Sequence, residues 1–283
     1  TRLCTQSVQL QTDAVKAVAS YIAQCDLELS PPDLAGRVYS IIENTTGVKD
    51  PYAGKKRESN EVALSLLPAL RKEVCDSDDA AGLLLAVRFA IAGNIIDYGA
   101  YQDFDIEGTL RQCRNASFAI DHSADLLHAI HTIGDDAHVL YLADNCGEIV
   151  FDSLLLEKLF NHGFKITVAV KDGPIINDAL VADAYIAGLD NYAQIVSNGT
   201  RCPGTVLDQV SEEFLNIYNS ADLVISTGQG NFESLSEAQR EIFVLLTIKC
   251  KAAAKHMHEI TGCDQTTIKG TGEMAVYHLP ATI

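Results

Sequence analysis

Up to about residue 135 the apolar positions recur at helical spacing, and beyond it they gather into short unbroken runs. Val15, Val18 and Ile22 share one helical face. Ser30 can act as an N-cap with Pro31 in the first turn, and Leu34, Val38, Ile41 and Ile42 then lead to Gly47, a residue suited to ending a helix. Residues 48–60, "VKDPYAGKKRESN", read as a loop that enters a helix through Val62, Leu66 and Leu70, with Pro68 as a kink. Ser77 is expected to begin an apolar helix running to Ile96, and two more helices are expected over 105–117 and 123–133. No strand is expected in this half.

After Asp136 the runs "HVLYLAD", "KITVAVK", "AQIVSN", "ADLVIST" and "FVLLTIK" have the composition of strands buried on both faces, and most are separated by helix-length segments. "AVYHL" is a sixth candidate. The pattern predicts an α/β fold, a Rossmann-like doubly wound and mainly parallel sheet carrying an N-terminal all-helical domain, divided as 1–135 and 136–283.

Composition narrows the partners. The 283 residues are 47% hydrophobic, enough for a substantial core, and the net charge of −17 leaves no basic face with which to neutralise a nucleic acid. The longest weakly charged stretch, 80–96, carries Arg88 and falls short of the ~20 apolar residues of a membrane span. Eight cysteines without zinc-ribbon spacing read as reduced thiols of a cytoplasmic protein.

Ligands of an open parallel sheet sit beyond the carboxyl ends of its strands. There the chain places Asp144-Asn145, Lys171-Asp172, Asn198, Thr227-Gly228 and Lys249 in turn, with Asp178 just past Pro174 at the expected start of the next helix. Asp144, Asn145 and Asp178 supply two carboxylates and an amide oxygen, a donor set suited to Mg²⁺ or Mn²⁺, although Asp144 and Asn145 could equally cap the following helix. Gly147 allows a sharp turn, and amides near Glu148 could meet an anion. Gly228 and Gly230 repeat the device before Asn231 and Glu233, and a plain tight turn explains them as well. Lys249 ends an apolar strand, where an ammonium either finds an anion or reaches solvent. Cys146 and Cys250 lack a nearby histidine and read as packing residues. Asn94 and Asp97 interrupt an apolar helix, as a cap or as groups reaching into an interdomain cleft.

The ordered motifs "AGNIIDYG", "LADNCGEIVFD", "VKDGPIINDA", "STGQGNFESL" and "IKCKAAA", with "CTQSVQLQ" and "KDPYAGKK" before them, resemble the metal-dependent damage-control phosphatases, a family long called a domain of unknown function and once proposed to methylate carboxylates. The resemblance spans most of the chain. It implies a helical domain joined to a Rossmann-like one, and hydrolysis of phosphoesters of sugars or small metabolites with a divalent cation, Mn²⁺, Mg²⁺, Co²⁺ or Ni²⁺. Carried over by motif, Asp144, Asn145 and Asp178 hold the metal; Asp144, Asp178 and Lys249 serve catalysis; and Gly147, Glu148, Gly228, Gln229, Gly230, Asn231, Glu233, Lys249, Asn94 and Asp97 contact substrate. The nucleophile is water or Asp144 itself. Many relatives carry a second cysteine where this chain has Ser7. Two other classes stand beside this one: an adenosyl-methionine-dependent carboxyl methyltransferase, and a non-catalytic metabolite-binding protein. The expected partner is a small phosphorylated metabolite, not nucleic acid or membrane, with self-association left open.

Overall fold

The structure, a computed structural model, describes residues 1–26, 29–93, 106–264 and 266–281. The first helices follow the sequence pattern. In α1 (Val8–Ile22) Ser7 caps the N-terminus, and in α2 (Pro31–Thr46) Ser30 Oγ accepts from Asp33 N while Gly47, at φ 74°, closes the other end in the left-handed region. The next helix departs from expectation. Instead of a loop through residue 60, α3 runs Ala53–Asp76 with Pro68 inside it, and its first turns bury Lys56, Ser59 and Asn60. An inner face made of polar residues gives no apolar period to read.

Ser77 ends α3 and does not begin its successor: α4 spans Asp79–Gly93, and Asp78 Oδ1 accepts from Ala81 N at 2.8 Å at its start. Then come α5 (Ile106–Cys113), β1 (Ile120–Asp121) and α6 (Ser123–Thr132). β1 corrects the expectation of no strand before residue 135. It is two residues long, too short for a period, and is held by parallel pairing of Ile120 with Ala275.

The rest alternates strand and helix: β2 (His138–Leu142), α7 (Glu148–Asn161), β3 (Lys165–Val170), α8 (Val181–Ile186), β4 (Gln194–Ser197), α9 (Glu212–Ser220), β5 (Leu223–Thr227), α10 (Gln229–Leu235), β6 (Ile242–Ile248), α11 (Lys251–Thr261) and β7 (Glu273–Leu279). All six expected strands are present. The sheet order is β1-β7-β6-β5-β2-β3-β4, parallel except for the β6–β7 pair.

Alternate strand residues feed two cores. Val139, Tyr141, Val168, Ile225 and Leu245 pack toward α3, α4 and α7, while Leu140, Leu142, Val224, Val244 and Leu246 pack toward α9, α10 and α11. With both faces covered, the strands read as continuous apolar runs. The order places β5 and β3 on opposite sides of β2, so successive connections diverge there. A doubly wound sheet opens its ligand crevice at such a switch point, beyond the carboxyl ends of β2 and β5. No helix among the described residues is long and apolar enough to cross a membrane.

Candidate active site at the switch point

The residues after β2 and after β5 interlock. Gly228 has φ 88°, and a Cβ on it would lie 1.9 Å from Asp144 Oδ2, so the Asp144 carboxylate occupies the space a side chain would need. Asn145 is fixed between two carboxylates: its Nδ2 donates to Asp144 Oδ2 and to Glu148 Oε1, each at 2.8 Å. That turns the amide oxygen away from them.

Asp178 arrives by backbone pairing. Asn145 and Asp178 form an antiparallel bridge, flanked by Cys146 N donating to Asn177 O at 2.9 Å and Ala179 N to Asp144 O at 2.8 Å. Asp178 therefore sits on an extended bridge three residues ahead of α8 and not at a helix start, as the sequence suggested. The turn that presents it holds Ile176 at φ 44°, a costly conformation for a β-branched residue and one that concentrates at functional sites.

Asp144, Asn145, Glu148 and Asp178 are all buried, at 7%, 8%, 2% and 2% exposure, so three carboxylates crowd a low-dielectric pocket. Lys171, immediately after β3, partners one of them, with Nζ 3.8 Å from Asp178 Oδ2. The same ammonium donates to Gly204 O at 2.8 Å and Asn231 Oδ1 at 3.4 Å. Lys171 was missed as a site residue, yet it carried the signal that singled out Lys249: a lysine closing an apolar strand.

Asn60 was also missed. From α3 its Oδ1 accepts from Gly147 N at 2.7 Å and its Nδ2 donates to Asp183 Oδ1 at 3.0 Å, so it fixes the turn into α7. Two amides at that turn are therefore spent inside the protein, Gly147 N on Asn60 and Ile149 N on Asn145 O. Anion recognition by this helix start is narrower than the sequence suggested.

Across the crevice, Gln229 joins two expected substrate residues: its Nε2 donates to Glu233 Oε1 at 2.7 Å and its Oε1 accepts from Lys249 N at 3.1 Å. Burial pushes the Glu233 carboxyl up, the Gln229 bond opposes this, and the nearby Asp144 charge adds to it. Asn231 lies deeper, at 0% exposure. Its Nδ2 donates to Thr227 O and Ala143 O, and its Oδ1 accepts from Thr205 Oγ1 and Lys171 Nζ. Its amide holds the crevice floor together. Gly230 admits the 203–204 turn, since a Cβ there would meet Pro203 O at 2.4 Å.

Asn94 and Asp97 lie outside the described residues. Gly93, immediately before Asn94, backs onto Glu148, whose Cα would be 2.9 Å from a Cβ on that glycine. Cys146 is buried and its thiol is pushed well above the usual range by desolvation, which keeps it protonated. Cys250 Sγ accepts from Ala253 N at 3.4 Å as the cap of α11. Buried and desolvated, Cys146 lacks the environment of a nucleophile.

Fold and site together define a doubly wound α/β protein with an acidic, lysine-flanked crevice at its switch point. The damage-control phosphatase ARMT1-like domain model matches residues 1–263, and the chain belongs to that family. It is 34% identical over 259 residues to a damage-control phosphatase of Pyrococcus horikoshii, covering 90% of this chain and 88% of that protein. It is likewise 34% identical over 224 residues to a damage-control phosphatase of Archaeoglobus fulgidus, covering 78% and 77%. The crystal structure of a DUF89 family protein from Pyrococcus horikoshii matches it with a TM-score of 0.85 at 30% identity, over 98% of this chain and 93% of that one.

Proposed function

We propose that the protein is a divalent-metal-dependent phosphatase acting on phosphoesters of small metabolites, sugar phosphates or damaged phosphometabolites. The observation that carries this reading is the junction of Asp144, Asn145 and Asp178: side-chain contact joins the first two and backbone pairing brings in the third, within a pocket of buried carboxylates. Such a concentration of buried negative charge calls for a cation. The donors suit a hard one, because two carboxylates and an amide oxygen match Mg²⁺ or Mn²⁺, with Co²⁺ and Ni²⁺ also served by oxygen. Asp144, Asn145 and Asp178 would hold it, and it would supply Lewis-acid polarisation of the phosphoryl oxygen.

The chain's own groups do the rest. Glu148 accepts from the Asn145 amide nitrogen and so fixes the side chain whose oxygen would meet the ion. Gly228 leaves room for the Asp144 carboxylate in one position. Lys249, at the end of β6 and half-buried, is suited to neutralising charge that develops on the phosphoryl group, as preorganised donors do. Gln229 links the Lys249 backbone amide to the Glu233 carboxylate, so the end of β6 and the start of α10 are set relative to one another. Relatives bearing the name damage-control phosphatase support the same reading.

The test is a screen of phosphorylated metabolites for phosphate release with Mg²⁺, Mn²⁺, Co²⁺ or Ni²⁺, run beside Asp144→Asn. Metal-stimulated release that the variant lacks is the expected result. Release that is indifferent to chelation, or equal in the variant, would remove the basis for this assignment.

A further inference from the structure

At the other end of the sheet, three helix termini bring Asp79, His131 and His162 together. Asp79 opens α4, His131 lies in the last turn of α6, and His162 ends α7 just before β3. Among the described residues they are the only three His, Cys, Asp or Glu side chains whose ligand atoms all lie within 4.8 Å of one another.

The atoms are specific. Asp79 Oδ2 is 3.2 Å from His162 Nε2 and 3.6 Å from His131 Nε2. A tetrahedral ion with bonds of about 2.0–2.1 Å separates its ligands by roughly 3.4 Å. The other oxygen, Oδ1, is occupied by Lys158 Nζ at 2.9 Å, which orients the carboxylate and leaves Oδ2 to the rings. His131 Nδ1 lies 2.6 Å from Leu127 O, and a carbonyl only accepts, so Nδ1 carries a proton there and Nε2 is the ring atom left facing Asp79. His162 Nε2 is shielded from solvent and makes no hydrogen bond despite its closeness to Asp79. The two rings meet edge to face, with centroids 5.5 Å apart, and His162 is braced by stacking on Phe164.

Two imidazole nitrogens and a carboxylate oxygen thus converge at the spacing a four-coordinate ion requires. We propose that Asp79, His131 and His162 form a transition-metal site, binding Zn²⁺ or an ion of similar preference through Asp79 Oδ2, His131 Nε2 and His162 Nε2. The fourth position faces solvent, because the Asp79 and His131 side chains are 52% and 46% exposed. Two imidazoles and one carboxylate favour Zn²⁺, Co²⁺ or Ni²⁺ over Mg²⁺, whereas the crevice offers oxygen donors only. Its place on three helix ends, ahead of β3 and away from Asp144, makes its role structural. The ion ties α4, α6 and α7 over the sheet.

The probe is Zn²⁺ alone, titrated calorimetrically into Asp144→Asn protein so that the crevice competes less, and into the same protein carrying His131→Gln and His162→Gln. One equivalent should bind before the histidines are changed, with affinity falling about tenfold or more afterwards. Co²⁺ should give the intense visible bands of a four-coordinate imidazole site, lost with the histidines. His131→Gln/His162→Gln in the otherwise native chain should keep its circular dichroism and any phosphate release, while losing the rise in Tm that Zn²⁺ gives the native protein. Zn²⁺ uptake that ignores both histidines, or no uptake in the crevice variant, would overturn the proposal and leave the phosphatase reading untouched.

Discussion

Asp144 and Gly228 stand on opposite sides of the switch point and fit each other: a Cβ on Gly228 would come within 2.2 Å of Asp144 Cγ. The glycine is required twice, by its φ of 88° and by the carboxylate it faces. Gly228→Ala should therefore push the Asp144 carboxylate aside while the sheet remains intact. Misplacement of a reacting group by an ångström costs on the order of 100-fold, and that is the expected loss of metal-dependent phosphate release at unchanged circular dichroism. A variant within a few-fold of the native rate would show that the position of Asp144 is not critical.

Asp178 and Lys171 make a second pair, both at 2% exposure. Removing a ligand at a solvent-lined strand end would leave stability alone, but this carboxylate is buried beside an ammonium. Asp178→Ala should abolish activity and also lower stability by about 3–5 kcal/mol, because it strands a buried charge. Adding Lys171→Met should restore part of that stability and none of the activity. Urea unfolding read beside phosphate release checks both, and an Asp178→Ala protein as stable as the native one would mean that Lys171 reaches water or another anion.

What the sequence disclosed follows from the same physics. Strands covered on both faces need apolar residues throughout, so β2 through β7 were readable as runs, and the donors at their ends stood out by contrast. The first turns of α3 show no apolar period because their buried face is Lys56, Ser59 and Asn60, of which Asn60 serves the turn at Gly147. Functional side chains replaced the periodic signal there. Lys171 looked like Lys249 in sequence, and only tertiary structure shows it 3.8 Å from Asp178. The cluster of Asp79, His131 and His162 spans 84 positions without a motif spacing, so no local pattern announces it.

Asp152 makes the stability depend on pH. It is wholly buried one turn beyond Glu148, and Tyr141 donates to its Oδ1 at 2.8 Å. Burial pushes its carboxyl up to about 8, with the Tyr141 bond opposing and the Asp144 charge adding. The folded value lies above the unfolded one of about 4, so the native state holds the extra proton between them. The contribution is complete below about pH 4 and is lost as pH rises toward about 8. Urea unfolding at intervals across that window should show a decline that Asp152→Asn flattens. A parallel decline in both proteins would assign the dependence to other groups.

Lys249 separates phosphate chemistry from methyl transfer. It closes β6, is half-buried, and has its backbone amide fixed by Gln229. If the substrate carries a phosphate, this ammonium is a point charge for it, and Lys249→Met should cost about 2–4 kcal/mol of transition-state stabilisation, as does loss of one preorganised donor. A methyl donor instead presents a sulfonium cation, which a lysine aimed into the same crevice repels. Native protein and Lys249→Met should be compared for metal-dependent phosphate release and, by calorimetry, for binding of adenosyl-methionine. The expected result is release that falls with the lysine, and no binding of the cation to the native protein. Tight binding of adenosyl-methionine, with no phosphate freed from any phosphoester offered, would instead identify a crevice built for a positively charged donor.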